Sequence, residues 1–154
     1  MSIEDDIAFL ERVPTFAVLG REALRILAIS AENRYVHDGV ALFKEGESAD
    51  AAYVVQEGSF ELAAPGSSQP QMAGIGALMG ELALITETKR STTATAREPS
   101  TVIRIPRSVF LKMLEGYPDA ARRLRNAIAT RVGATARDLV KVRTGLDGSA
   151  PARR

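Results

Sequence analysis

One stretch of this chain, residues 80–94, places an acid, an arginine and several hydroxyl side chains close together. Gly80 has no side chain and lets the backbone come near a ligand. Glu81 is a carboxylate that can accept a hydrogen bond from a sugar hydroxyl. Arg90 can grip a phosphate through two parallel N–H bonds. The layout predicts a site for a ligand with a phosphate on one side and a hydroxyl on the other.

Backbone and hydroxyl groups of the same stretch add to the site. A short helix is predicted over Glu81–Ile85, and the first N–H groups of a helix lack intrahelical partners and favour an anion. We therefore expect Leu82 and Ala83 to offer backbone N–H groups, and the hydroxyl or amide of Ser91 to reach the phosphate.

The rest of the chain must position this stretch, and its periodicity changes twice. Apolar residues recur at helical spacing near both ends, whereas the middle alternates with a period of two and is broken by glycine turns. The pattern predicts strands at residues 35–37, 41–43, 51–56, 60–62, 72–75, 92–97 and 101–105. It predicts helices at residues 3–13, 20–31, 106–114 and 118–142. Short, regularly spaced strands indicate an all-β sandwich or barrel.

Composition limits the class of protein. The chain has 154 residues, of which 45% are hydrophobic, so we expect one domain over residues 1–143 and a disordered tail over 144–154. It has no cysteine, no apolar run long enough to span a membrane and an acidic start unlike a signal peptide, which favours the cytoplasm. A single histidine, His37, argues against a barrel with several metal-binding histidines and against a Ser-His-Asp site.

The residues 80–84, Gly-Glu-Leu-Ala-Leu, followed by Arg90 and three hydroxyl residues, resemble the phosphate-binding cassette of cyclic nucleotide-binding domains. That family includes regulatory subunits of protein kinase A, the catabolite activator protein and cyclic-nucleotide-gated channels. The resemblance implies an eight-stranded antiparallel β-roll, mainly β with N-terminal helices and C-terminal B and C helices. It also implies a non-catalytic sensor whose ligand is cAMP, with cGMP as the alternative, and no other cofactor or metal.

The resemblance assigns further residues to the ligand. It implies that Glu81 meets the ribose 2′-hydroxyl and that Leu62 borders the purine, although core packing explains Leu62 equally well. Thr92 stands where relatives often have alanine, which would tighten the pocket or add a polar contact. Arg131, on the last predicted helix, fits an arginine that covers the purine in related channel domains.

Two other functions remain open from the sequence. Residues 117–154 carry nine basic and three acidic residues, so the chain could be a small nucleic-acid-binding protein that uses this basic segment. It could also be a β-roll that no longer binds a nucleotide and serves as a protein-interaction module. The resemblance favours a sensor whose C-terminal helices move to regulate an effector protein in trans, with no membrane and no nucleic acid as partner, and it allows a homodimer through the C-terminal helix.

Overall fold

The fold is a double layer of antiparallel sheet with helices before and after it, seen here in a computed structural model that describes residues 2–127. The helices are α1 (Ile3–Glu11), α2 (Pro14–Ala17), α3 (Arg21–Ser30), α4 (Arg107–Gly116) and α5 (residues 118–127). A 3₁₀ helix spans Glu81–Leu84. The strands are β1 (Glu32–Val36), β2 (Ala41–Phe43), β3 (Ser48–Ala49), β4 (Ala51–Glu57), β5 (Phe60–Ala63), β6 (Gln71–Ala73), β7 (Leu78–Met79), β8 (Thr88–Lys89), β9 (Thr93–Ala96) and β10 (Ser100–Pro106).

The strands form two four-stranded sheets and one small pair. The first sheet has the order β1-β10-β4-β7, the second has the order β2-β9-β5-β6, and β3 pairs with β8. Every pairing is antiparallel. This confirms the predicted fold class of antiparallel β structure with flanking helices. The two larger sheets contain the eight strands that the resemblance implies, and the small pair brings the number within the described residues to ten. Strands β3, β7 and β8 have two residues each and are too short to show a period in the sequence.

Two hydrophobic clusters hold these layers together. The larger one packs α1, α3 and α4 on the outer face of the first sheet, and the smaller one lies between the sheets. Strand β4 belongs to both clusters, since its side chains alternate between the two faces and five of its residues are buried in succession. Buried members of the inner cluster are Val36, Phe43, Tyr53, Val55, Phe60, Ala73, Met79, Ala94, Ala96 and Val102.

The helix ends follow local chemistry. Ser2 caps α1 and forms a reciprocal capping box with Asp5, as a serine before an acidic first turn predicts. The helix predicted over residues 106–114 begins one residue later, at Arg107, because Pro106 is the N-cap residue with an extended ψ of 146°. Within residues 2–127, no helix is both long and apolar enough to cross a membrane. The predicted residues 128–142 of the last helix and the predicted tail over 144–154 lie outside the described part of the chain.

Candidate functional site

A small cavity lies where the 3₁₀ helix meets β8 and the segment that follows it. Its volume is about 140 Å³, and it opens to solvent. It is lined by Phe43, Ala49, Gly80, Leu82, Ala83, Thr88, Lys89, Arg90, Ser91 and Thr92. Pockets that enclose a whole drug-sized ligand measure about 300–1,000 Å³. The cavity can therefore enclose only part of a nucleotide-sized ligand.

Arg90 is the buried cation of this cavity. It is 6% exposed, and its Nη2 donates a hydrogen bond to the backbone oxygen of Ala51 at 2.8 Å. Its guanidinium carbon lies 4.3 Å from the ring centre of Phe43 and 5.5 Å from that of Tyr53, within cation–π range. Nη1 is buried and has no hydrogen-bond partner. One face of the guanidinium is thus stacked on aromatic rings, while one of its donors is unsatisfied.

Burial also makes the charged form of this arginine less favourable than it is in water. Loss of solvent lowers the pKa of the Arg90 guanidinium, and interactions with Tyr53, Asp50 and Glu47 act in the opposite direction. Across residues 2–127, none of the ion pairs between side chains includes Arg90. A buried cation without a bound counter-charge is costly, so this position favours an incoming anion.

The backbone around Arg90 is fixed by the turn between β2 and β3. The Arg90 N–H donates to the oxygen of Glu47 at 2.8 Å, and the Gly46 N–H donates to the oxygen of Arg90 at 2.8 Å. Gly46 and Glu47, neighbours in one turn, therefore bind both backbone groups of Arg90: its N–H and its carbonyl oxygen. The arginine is presented from a rigid segment, as an accurate binding site requires.

Gly80 lies directly against the guanidinium of Arg90. Its φ is +78°, in the left-handed region, and it precedes the 3₁₀ helix directly. A β-carbon added at Gly80 would overlap Nη1 of Arg90. The glycine is needed both for the turn and for the space that the arginine occupies.

The structure brings together most, but not all, of the residues predicted to bind the ligand. Those that line the cavity are Gly80, Leu82, Ala83, Arg90, Ser91 and Thr92. Leu62 does not line it; this residue lies half-buried in β5, opposite Ala94 of β9 and Gln71 of β6. Arg131 lies outside the described residues.

Glu81 is placed differently from the sequence expectation. It does not line the cavity, and its Oε2 accepts a hydrogen bond from the hydroxyl of Thr15 in α2. Thr15 is buried, at 8% exposed. The predicted hydroxyl acceptor is thus engaged by the N-terminal helices.

Three residues that support the site, Phe43, Tyr53 and Arg107, are not predicted from the sequence. Phe43 and Tyr53 support the arginine, but an aromatic residue in a strand predicts core packing as readily as a cation–π contact. Arg107 begins α4 and does not line the cavity, but it donates to two residues that do, Ala49 and Ala83. Its Nη1 donates to the backbone oxygens of Ala49 at 3.0 Å, Ala83 at 3.2 Å and Thr86 at 3.1 Å. This arginine ties the 3₁₀ helix to α4.

Replacing Arg107 with methionine is expected to lower the free energy of unfolding by about 2 kcal/mol, because three backbone oxygens lose a charged donor. The loss is smaller than that of three separate hydrogen bonds, since all three share the nitrogen Nη1. Urea denaturation would measure the change. Arg122→Met is the matched control: Arg122 is exposed and pairs with Asp119 on the surface, so we expect a change below about 0.5 kcal/mol. Equal losses in the two variants would contradict the role given to Arg107.

Side chains of the types that bind metals do not cluster in the described part of the chain. Within 2–127, there is no group of three or more histidine, cysteine, aspartate or glutamate side chains arranged to hold a metal ion. The sole histidine, His37, is exposed beyond the end of β1 and packs edge-on against the ring of Tyr35 at 4.6 Å.

Comparison with solved structures places the fold among known proteins. The chain is 42% identical to a cyclic nucleotide-binding-like protein from Brucella abortus, with a TM-score of 0.64, over 72% of this chain and 98% of that one. It is 30% identical to the N-terminal domain of a transcriptional regulator from Streptomyces coelicolor, with a TM-score of 0.77, over 84% of this chain and 94% of that one. The family model described as "Cyclic nucleotide-binding domain" matches residues 33–117.

A segment similar to this chain occurs as a part of longer proteins of different kinds. The chain is 37% identical over 110 residues to an uncharacterized NTE family protein of Mycobacterium tuberculosis, covering 71% of this chain and 19% of that protein. It is 32% identical over 108 residues to the cAMP-dependent protein kinase regulatory subunit of Yarrowia lipolytica, covering 69% of this chain and 28% of that protein. The chain spans less than a third of the length of either relative.

Proposed function

The chain belongs to the cyclic nucleotide-binding domain family, and from this premise we propose that it is a non-catalytic sensor that reversibly binds a cyclic nucleotide, preferably cAMP. The observation that carries the proposal is the guanidinium of Arg90. It is buried, it stacks on Phe43, and its Nη1 lacks a hydrogen-bond partner beside an open cavity. An anion of the size of a cyclic phosphate would satisfy that donor.

The phosphate would occupy the cavity between the 3₁₀ helix and Arg90. Arg90 and the backbone N–H of Leu82 would donate to the exocyclic oxygens. The N–H of Ala83, also expected there from the sequence, already donates to the oxygen of Gly80 at 3.0 Å. Ser91 and Thr92 line the cavity and would supply hydroxyl or amide donors. A cyclic phosphate diester carries one negative charge, which one guanidinium balances.

The ribose and base would extend beyond this cavity. A volume of about 140 Å³ cannot enclose a complete nucleotide. The ribose 2′-hydroxyl would bind Glu81, and the purine would lie over the second sheet, towards Leu62 in β5. Arg131 would cover the purine by stacking and cation–π attraction, worth about 0.5–2 kcal/mol.

The proposed preference for cAMP is supported by the name of one sequence relative. The relative from Yarrowia lipolytica, at 32% identity, is named as the regulatory subunit of a cAMP-dependent protein kinase. Ser91, next to the arginine, offers a hydroxyl that can also meet a guanine, so cGMP is the ligand against which the preference is measured.

Regulation would pass from the cavity to α4. When the phosphate binds, it attracts both Arg90 and the 3₁₀ helix, whose Ala83 oxygen is bonded to Arg107 of α4. A change in the 3₁₀ helix therefore acts on α4 and on the helix after it. Ligand binding would shift the population between two positions of these C-terminal helices, and an effector protein would respond to that shift in trans.

Isothermal titration calorimetry with cAMP and cGMP tests the proposal. We expect saturable binding of both nucleotides to one site per chain, with tighter binding of cAMP. The proposal is overturned if neither nucleotide binds below about millimolar concentration, since a Kd of 1 mM corresponds to only about 4 kcal/mol of binding free energy. The β-roll would then be an interaction module.

A further inference from the structure

Thr15 connects the N-terminal helices to the carboxylate of Glu81. It lies in the four-residue helix α2 and is 8% exposed, and its hydroxyl donates a hydrogen bond to Oε2 of Glu81. The two residues are 66 positions apart in the sequence. A buried hydroxyl commonly has a hydrogen-bond partner, and here the partner is the acid of the candidate site.

This hydrogen bond coincides with the absence of Glu81 from the cavity wall. The neighbours of Glu81 on both sides, Gly80 and Leu82, do line the cavity. A ligand hydroxyl in the cavity would need the same carboxylate to turn towards it. Thr15 occupies only Oε2 of Glu81, so the competition concerns the orientation of the carboxylate: turning it towards a ligand hydroxyl in the cavity would break the hydrogen bond to Thr15.

We propose that Thr15 is a positioning residue that competes with the ribose hydroxyl of the ligand for the Glu81 carboxylate, an inference that rests on the proposed function. In the ligand-free protein Thr15 holds Glu81 back. A ligand with a free 2′-hydroxyl takes over the carboxylate and releases Thr15, whereas a ligand without that hydroxyl leaves the Thr15–Glu81 bond in place. Thr15 thereby sets how strongly the site prefers a ribonucleotide.

Breaking the Thr15–Glu81 hydrogen bond would also affect α4, by a route separate from Arg107. The next residue, Phe16, is fully buried, and its ring centre lies 6.2 Å from that of Phe110 in α4. A change in the restraint on α2 is therefore transmitted through packed aromatic rings. The ligand hydroxyl would act on α4 through α2, while the phosphate acts on it through Arg107.

The test compares cAMP with its 2′-deoxy analogue by calorimetry, using wild type, Thr15→Val and Thr15→Ser. Valine has the shape of threonine without the hydroxyl, and serine keeps the hydroxyl. We expect Thr15→Val to bind cAMP about threefold to tenfold more tightly than wild type, which matches the net value of one hydrogen bond. Its affinity for 2′-deoxy-cAMP should be unchanged, and Thr15→Ser should keep the wild-type ratio of the two affinities.

A merely structural role for Thr15 would change both affinities alike, and that result would overturn the proposal. So would weaker binding of cAMP to Thr15→Val. If wild type binds neither ligand, the proposed function itself fails; if wild type and Thr15→Val bind both ligands identically, only this inference fails.

Amide hydrogen exchange on the wild-type protein gives a test that needs no variant. The amides of Phe16 and Ala17 donate to the oxygen of Val13 within the N-terminal turn. Their exchange should be faster with saturating cAMP than with saturating 2′-deoxy-cAMP. Equal exchange with the two ligands would contradict the release of Thr15.

Discussion

Replacing Arg90 with alanine is expected to weaken cAMP binding at least tenfold. Hydrogen bonds to a charged group contribute about 1.5–3 kcal/mol each, and 1.4 kcal/mol is a factor of ten in affinity. The variant loses the cation that would balance the phosphate and the donor Nη1 that has no partner in the ligand-free protein. Calorimetry at fixed ionic strength would measure the loss.

Two further variants make this result specific. Arg25→Ala removes the same charge from the exposed side of α3, where Arg25 pairs with Glu4, and it should leave the affinity within about twofold of wild type because the charge there is screened. Arg90→Lys keeps the charge but not the fork of two N–H groups, so it should fall between wild type and Arg90→Ala. Wild-type affinity in Arg90→Ala would refute the site assignment.

Replacing Gly80 with alanine should also reduce cAMP affinity at least tenfold, although it changes no charge. The added methyl group would overlap Nη1 of Arg90 and displace the guanidinium. The same substitution strains the backbone, since alanine in the left-handed region costs about 1–2 kcal/mol. Both affinity and the free energy of unfolding should therefore fall.

Gly66 provides a control that separates strain from overlap. Its φ is +77°, almost the same as that of Gly80, and a β-carbon there would meet nothing within 4 Å. Gly66→Ala should lower stability by about 1 kcal/mol and leave affinity unchanged. If Gly80→Ala bound cAMP as tightly as Gly66→Ala, the close approach of Gly80 to Arg90 would have no part in binding.

The parts of this structure that follow from sequence are those encoded locally. Alternation with a period of two predicts Ala41–Phe43, and a compact apolar run before a glycine turn predicts Ala51–Glu57 to within one residue. The spacing from Gly80 to Arg90 predicts that both border one site, and both line the cavity. A two-residue strand such as Thr88–Lys89 has no period to detect, and its existence depends on the partner strand β3.

The parts that did not follow depend on distant contacts. No local pattern links Thr15 to Glu81, because only the packing of α2 on the 3₁₀ helix brings them together. The aromatic support of Arg90 likewise requires β2 and β4 to meet beneath it. Arg107 could be predicted to begin a helix, but its three acceptors are backbone oxygens, which sequence does not distinguish.

The grip on Arg90 by Gly46 and Glu47 has a consequence for how sequences of this type can vary in length. One extra residue between Gly46 and Glu47 would move the Gly46 N–H away from the Glu47 oxygen, so that both could no longer bind the backbone of Arg90. Insertions and deletions should therefore be excluded at this turn. They should instead accumulate in the exposed loop at residues 65–70, where the hydrogen bonds that hold Arg90 would be undisturbed.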